Sequence, residues 1–566
     1  MSHVLYGVIY EDFCSDGLMS GRIRSLVDSA IKYNSLIQPG RSLVYHFYMG
    51  EKWQYPCLTD LSTLNGGLTV TEGLQPFFSV KAESLVQPLS EYSPHYFAGL
   101  EHIKDDGHRY ILLTPDDATD ADVETHNSLS KKQELYRNLE ACCPVAFDDI
   151  REIQRQRRWS RGLGPVDHFE APDLAKINQE QTTHHPYLEI APGAVRLGAE
   201  KAVIIGMHWL QAGGAERWAV ETVRLVREAG MLPIVITDRP SHQPWIDRPE
   251  FKDALVLCLT FPIQERPGDE PLLRSLVEQF DIKGVLIHHC QWLYDRLWWI
   301  KKYRPNATVV DSLHIVEYPY GGGYPNQAVS RDAFIDLHHV ISPQLVSWLV
   351  ESHGIDANKV VDAPLVGLTA DGTAKACKEP ASKSKLTVCF VGRISRQKRP
   401  EAFVLLAKKL DKCAPGRFRF IMHGNGDLDP MVDKIIARHG LSDLIERRGM
   451  QIPVDKTYSD SDVLVVSAIN EGITLTTIES LSAGLPVVST DVGSQDTLIP
   501  IEALTPRSTR DFIKCASRIL LKMLEDNDFR KSVWQSEMDK LVEFSKLKNS
   551  NTLFTEILGK WSDDEQ

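Results

Sequence analysis

With 566 residues the chain is long enough for three domains and several cores, and its 43% hydrophobic and 25% charged content is ordinary for a globular protein. A formal net charge of -13 excludes wholesale nucleic-acid binding, which needs a basic field, so no nucleic-acid partner is expected. The 10 cysteines lack paired Cys-x-x-Cys spacing, the opening Met1-Ser2-His3-Val4 lacks a leader pattern, and no apolar run reaches about 18 residues. A cytoplasmic, reducing location without a spanning helix or structural zinc is therefore expected.

The first 195 residues predict strands over Val4–Tyr10, Ser42–Tyr48 and Tyr110–Thr114, and a helix over Gly17–Tyr33. An accessory α/β or α+β domain of unknown role, residues 1–195, is expected. Asp116 and Asp117, beside the third strand, form an acidic pair of the kind that can hold a metal. Acidic strand ends are also common, and solvation is the simpler reading. Arg151 to Arg161, basic and enclosing Trp159, reads as a solvated linker helix, with an anionic membrane surface as the alternative. Gly164 to Gln181, polar and proline-bearing, reads as linker.

From residue 200 the pattern becomes strand-helix-strand. Lys201–Gly206 is a buried-strand run. The loop from His208 to Glu216 follows, with Gly213 and Gly214 inside it, then a helix over Arg217–Glu228 and a strand over Leu232–Thr237. The third glycine of the dinucleotide fingerprint is missing, so a nicotinamide cofactor is not indicated. Gly284–His289 and Thr308–His314 predict two further strands ending in histidine, and His338-His339 sits on another. Trp292, Trp298 and Trp299 lie beside Lys301, Lys302 and Tyr303. Such spacing usually marks core, yet an exposed subset would suit a membrane interface or a lipid-linked acceptor.

A second strand-helix series follows residue 380. Leu386–Val391 reads as a buried parallel strand, followed by Gly392-Arg393-Ile394-Ser395-Arg396-Gln397-Lys398-Arg399-Pro400 and a helix over Glu401–Leu410. Arg393 and Lys398 would project from a strand-to-helix loop at the sheet's carboxyl end, where open α/β sheets bind ligands. A planar guanidinium fork and a compact ammonium both suit a diphosphate. Arg396 and Arg399 read as solvated loop. Arg419–Asp427 gives another strand, ending in Gly424 and Gly426. Val463–Ser467 then delivers the chain to Asn470-Glu471-Gly472-Ile473-Thr474-Leu475-Thr476-Thr477-Ile478-Glu479-Ser480. Glu471 precedes a helix start, and Glu479 lies inside the helix with seven residues between the two. Gly472 permits close backbone approach, and the N–H groups of Ile473, Thr474 and Leu475 open an anion site favoured by the helix dipole. The helix ends at Ala483-Gly484-Leu485-Pro486, and a strand reaches Thr490.

The basic loop followed by this carboxylate-bearing helix, with Gly-Gly-Ala-Glu upstream, resembles the retaining GT-B glycosyltransferases of family 4. The resemblance implies an α/β fold with two Rossmann-like parallel-sheet domains facing a cleft. Residues 200–380 would form the acceptor-side domain and 381–510 the donor domain. Closing helices from 511–566 would return to the first. It implies a hexosyltransferase-type activity on a UDP- or GDP-sugar, with a glycan or lipid-linked acceptor, in polysaccharide, lipopolysaccharide or glycoconjugate synthesis. Peripheral contact with the inner membrane face would accompany such an acceptor. Glu471, Arg393, Lys398 and His314 become the catalytic set. Gly213, Gly214, Gly424, Gly426, Gly472, Ile473, Thr474, Leu475 and Glu479 become the donor-binding set, without a metal or other cofactor. Two departures stand out. Ile473 and Thr474 replace the family's aromatic and glycine or proline, and Ala363–Leu368 replaces its asparagine-glycine linker. A nucleotide-sugar epimerase, a glycoside hydrolase and a non-catalytic subunit of a transferase complex are the rival readings.

Overall fold

The computed structural model describes residues 4–13, 19–56, 77–86, 107–120, 122–123, 131–162, 165–171, 191–259, 269–318, 321–370, 372, 376–380, 382, 384–449 and 451–563. Its backbone is α/β, with two parallel sheets and one small mixed sheet. The small sheet holds β1 (Tyr6–Phe13), β2 (Ser42–Met49), β3 (Phe78–Ser84) and β4 (His108–Leu113), in the order β1-β3-β2-β4. Strands β1 and β2 run antiparallel to β3, and β4 runs parallel to β2. Helix α1 (Gly21–Ile37), capped by Ser20, is buried on almost every side because it lies between two sheets. It packs on β1 and β3 and also along an edge strand of the next sheet. The Ser29 hydroxyl accepts from the Cys258 amide at 3.0 Å, so α1 covers an edge that would otherwise be open for pairing.

The seven-stranded sheet is β5 (Lys201–Met207), β6 (Leu232–Thr237), β7 (Leu255–Cys258), β8 (Asp281–His288), β9 (Thr308–Leu313), β10 (Leu337–Val340) and β11 (Val360–Asp362). Its order is β11-β10-β9-β8-β5-β6-β7, parallel throughout. The six-stranded sheet is β12 (Leu386–Val391), β13 (Phe418–His423), β14 (Ile445–Arg448), β15 (Val463–Val466), β16 (Val487–Thr490) and β17 (Leu504–Thr505). Its order is β14-β13-β12-β15-β16-β17, also parallel. Both are doubly wound, with the order of strand addition reversing between β5 and β8 and between β12 and β15. Ligands of such sheets bind outside the strand carboxyl ends at these reversals. Near-continuous burial along the strands reflects cover on both faces. The two sheets are the cores of two Rossmann-like halves.

The helices show how the parts join. After α2 (Lys131–Cys142) and α3 (Pro144–Gly162) come α4 (Gly214–Glu228), α5 (Pro400–Cys413), α6 (Leu475–Ser482), α7 (Thr509–Glu525), α8 (Asn527–Phe544) and α9 (Ser550–Asp563). Residues up to 195 divide between the two halves. The small sheet and α1 sit on the first, whereas α2 packs on the helix Asp429–Arg438 and α3 on α7, both in the second. Within 511–566, α7 and α8 stay with the second sheet, and only α9 returns to the first half, against α4 and β8. There a Cβ on Gly284 would fall 2.3 Å from the Trp561 ring, so the closing helix requires glycine at that strand position. The Ser550 hydroxyl donates to the Ala363 carbonyl at 2.7 Å, which ties down the connection between the halves.

The structure decides between the readings left open at three places. Trp292, Trp298 and Trp299 are 0%, 5% and 3% exposed, so they are core and offer nothing to a membrane. Lys301 turns away to Asp336 at 2.7 Å. Asp116 pairs with Arg22 at 3.3 Å and Asp117 with Lys52, so each acid is balanced by a protein cation rather than poised for a metal. Arg399 is not solvated: it is 1% exposed. The Trp159 side chain and most of the 164–181 linker lie outside the described residues; 165–171 has no regular structure. Among the described residues no helix is long and apolar enough to cross a membrane.

His338, fully buried on β10, contacts Asp311 at 2.8 Å and Asp332 at 3.2 Å. Burial alone would lower its pKa, but the two carboxylates outweigh it and raise the value to about 9. A raised histidine stabilises the fold fully below its unfolded value of 6.5 and loses that contribution as pH rises through about 9. Chemical denaturation from pH ~7 to ~9.5 is expected to show this loss. His338→Gln should be less stable at pH ~7 yet lack this decline. A parallel decline in both proteins would contradict the assignment.

Candidate active site

The carboxyl ends of β12 and β15 meet at the reversal of the second sheet. From β12 the chain passes through Gly392–Arg399 into α5; from β15 it passes through Ser467–Thr474 into α6. Hydrogen bonds lace the two loops together. The Ile469 amide donates to the Gln397 carbonyl at 2.9 Å, Gln397 Nε2 to the Asn470 carbonyl at 3.0 Å, and Ser467 Oγ to the Lys398 carbonyl at 3.0 Å. Lys398 Nζ lies 2.7 Å from Glu471 Oε1. That approach lies outside hydrogen-bond geometry, so the buried Oε1 has charge compensation but no hydrogen-bond donor among the described residues. Lys398 thus reaches the turn that opens α6.

Gly472 has a specific reason. A Cβ there would fall 2.1 Å from the His314 carbonyl oxygen, so the turn presses against the first half and only glycine fits. The close approach expected toward a ligand is toward the opposite half. Thr474 is the N-cap, its hydroxyl accepting from the Thr477 amide at 3.3 Å. A threonine at this position thus caps the helix itself. Ile473 is buried in the core of the second half, and Leu475 begins the helix, where the opening N–H groups lack intrahelical partners by geometry. Glu479 lies on the same helix, half-buried, accepting from the Tyr458 hydroxyl at 2.9 Å, with Arg217 Nη1 of the first half at 3.5 Å.

Arg393 is exposed and crosses the cleft, its Nη2 3.4 Å from the Ala212 carbonyl. Gly213 caps α4, and Glu216 folds back over it, accepting from Trp209 Nε1 at 2.9 Å. Burial raises the Glu216 pKa, opposed by its own backbone amide and by Arg393. The Cβ position of Gly214 lies 3.5 Å from Leu475, which puts the first-half loop beside the start of α6. Gly424 and Gly426 serve chain packing: a Cβ on either would fall 2.0 and 2.4 Å from the carbonyls of Gly392 and Ile394. They set the Arg393 loop against the β13 loop.

His314, after β9, is buried, with Nε2 3.3 Å from Ser312 Oγ. Burial, then neighbouring histidines, drive its pKa well below 6.5, so the ring is neutral. His289 is pushed down to about 4 by burial and stacks on Tyr324, whose hydroxyl is 3.1 Å from His208 Nδ1. Burial also lowers the His208 pKa well below 6.5, so three neutral imidazoles line the first half's strand ends, with the Arg239 guanidinium beside Tyr324. His338 and His339 stand behind them; His339 bonds Ser312 Oγ at 2.8 Å and is structural.

Sequence reasoning missed several contributors. Asn470 Nδ2 donates across the cleft to the Val316 carbonyl at 2.8 Å, and Ser494 Oγ accepts from the Gln344 amide at 3.1 Å. Tyr458 and Arg217 hold Glu479. Asn470 adjoins the carboxylate motif, but its partner lies far away in sequence. No sequence pattern announces Ser494 or Tyr458. Among the described residues, no group of three or more His, Cys, Asp or Glu is placed to hold a metal ion.

Residues 385–521 match the family described as Glycosyl transferases group 1. The chain is 26% identical over 262 residues to D-inositol 3-phosphate glycosyltransferase of Nocardia farcinica, spanning 42% of this chain and 58% of that one. It is 25% identical over 134 residues to the UDP-N-acetylglucosamine--peptide N-acetylglucosaminyltransferase GtfA subunit of Streptococcus pneumoniae, covering 24% of this chain and 25% of that one. The chain thus spans little more than half the length of the first of these relatives. Among solved structures, Anabaena Alr3699/HepE in complex with UDP aligns over 64% of this chain and 100% of that chain, at 14% identity and a TM-score of 0.49.

Gly472→Ala tests the inter-half contact. The methyl must displace the His314 carbonyl or open the cleft, and overpacking of this kind costs about 1–3 kcal/mol. Urea denaturation should show that loss; an unchanged midpoint would mean the turn is not pressed against the first half.

Proposed function

We propose that the chain is a retaining glycosyltransferase that moves a hexose from a nucleoside-diphosphate sugar to a hydroxyl of a glycan or glycoconjugate acceptor. The observation that carries this is the meeting of Lys398, Glu471 and the opening of α6 at the reversal of the donor sheet, with Arg393 beside the first-half loop that abuts Leu475. Lys398, Arg393 and the helix-opening amides form a fixed positive environment for a diphosphate. They oppose the charge that grows on it as the sugar leaves, without having to reorganise. Glu471 accepts hydrogen bonds from the sugar being transferred, its Oε1 being available to a donor; Glu479 accepts from the ribose hydroxyls. His314, neutral, contacts the donor sugar at the floor of the cleft.

In the proposed mechanism the acceptor oxygen bonds to the anomeric carbon on the face that the diphosphate leaves. The C–O bond to phosphate breaks, and a phosphate oxygen takes the acceptor proton. This needs neither a carboxylate nucleophile nor a metal, because the cations and amides supply the countercharge. UDP-sugars are the first donors to assay, since the pneumococcal relative's name specifies one; GDP-sugars come next. The hydrogen-bonding groups of His208, His289 and Tyr324 suit a hydroxyl-rich acceptor.

The purified chain is expected to transfer sugar from one such donor. Arg393→Ala and Glu471→Ala, still folded by circular dichroism, should lose on the order of 10²–10³ in kcat/KM. Parental rates in either variant would refute the assignment, and product isomers formed without any acceptor would favour an epimerase. Lys398→Ala should weaken calorimetric binding of the nucleoside diphosphate far more than that of the nucleoside. Equal weakening would move Lys398 out of the phosphate site.

A further inference from the structure

The loop Gly392–Pro400 carries four cations within seven positions: Arg393, Arg396, Lys398 and Arg399. Two of them face the cleft. The other two turn to the opposite side, where helices from near the start of the chain are docked. Arg396 donates to both carboxylate oxygens of Glu140 on α2. Arg399 donates from Nη1 to Asp148 Oδ2 on α3 at 3.3 Å and to Thr509 Oγ1 at 3.3 Å, and from Nε to the Ser467 carbonyl at 2.8 Å. Glu140 and Asp148 are 1% and 4% exposed. Each also pairs with an arginine of α3, Arg151 for Glu140 and Arg155 for Asp148.

Such acids are fixed objects. A buried carboxylate stays ionised only when its partners are held in place, so it locks their geometry in return. Four like charges in a short loop repel one another. Neutralising the outward pair from behind lets Arg393 and Lys398 stand together on the cleft side. Arg399 also has φ 52°, a left-handed conformation that a non-glycine residue keeps only when its surroundings impose it. Asp148, Thr509 and the Ser467 carbonyl impose it. Because Arg399 directly follows Lys398, its backbone direction sets where the Lys398 side chain begins.

We propose that Glu140 and Asp148 are positioning residues for the nucleoside-diphosphate site, acting through Arg396 and Arg399 on the loop that presents Arg393 and Lys398. The inference rests on the donor site proposed above. It makes a helix pair outside the matched 385–521 segment part of the donor-binding device. A hairpin that merely stabilised the fold would leave ligand affinity untouched.

Glu140→Gln in the full chain is the main test, because its partner Arg396 is partly exposed and the fold can tolerate the loss. Calorimetric affinity for UDP or GDP, whichever the parent binds, should fall on the order of tenfold, with binding of the matching nucleoside unchanged. The loss in kcat/KM should appear mainly in donor KM. Asp148→Asn should act in the same direction. The double variant Glu140→Gln/Arg396→Gln should be no worse than its more affected single variant. Asn138→Ala loosens the same hairpin at its contact with Lys434, away from the loop, and should keep parental affinity. Unchanged diphosphate affinity in folded Glu140→Gln, or equal loss for diphosphate and nucleoside, overturns the inference while leaving the donor site intact. A parent that binds neither diphosphate overturns both.

Discussion

The turn Glu471–Gly472 is pressed from two sides, and the cleft is organised around that squeeze. From the first half the His314 carbonyl occupies the place a side chain would take at Gly472. From within the second half Lys398 holds Glu471 at 2.7 Å. Neither contact is strong alone, but together they fix the height and direction at which α6 begins. The partial positive charge of that helix start is then aimed at one point, beside the two cations of the neighbouring loop. Sheet topology makes this geometry available: β12 and β15 are adjacent and parallel, yet their connections leave on opposite faces, which opens a crevice between their ends.

Charge burial behind that crevice follows the same logic. Arg399 and Asp148, both buried, would each be costly alone, and removal of one partner of such a pair typically costs about 3–5 kcal/mol. The arrangement is retained on the side of the loop that faces away from the cleft. On the cleft side, Arg393 is exposed and Lys398 partly so, held by weaker contacts. The loop thus has a rigid back and an adaptable front. The first half contributes a different surface, rich in imidazole and phenol, with the Arg239 guanidinium beside Tyr324 and His208.

Much of the architecture was legible because parallel strands covered on both faces read as unbroken apolar runs. Leu386–Val391 and Leu232–Thr237 were read to the residue, and the other long strands of both sheets to within about four. Short or edge strands such as β7, β11, β14 and β17 carry too few residues for a period, and β3 was missed in a stretch broken by charge. Helix α2, with a mixed polar sequence, gave no clear stripe. Of the site, the carboxylate helix and the basic loop announced themselves through residue type and local order. The Lys398–Glu471 contact did not, since it joins positions far apart in sequence. Arg396 and Arg399 looked identical to solvated loop cations, because their partners Glu140 and Asp148 lie more than 250 residues upstream. The tryptophans carried an interfacial alternative because Lys301 and Lys302 stand beside them, yet the rings fill the core while Lys301 reaches out to Asp336.

The central claim is that Arg393, Lys398 and the start of α6 share one diphosphate, and a structure with a bound nucleoside diphosphate tests it most directly. The account predicts phosphate oxygens within about 4 Å of both Lys398 Nζ and the Arg393 guanidinium, with the Ile473–Leu475 amides directed at the same group. A diphosphate seated elsewhere, with Lys398 still closed on Glu471 and Arg393 still against Ala212, would contradict it.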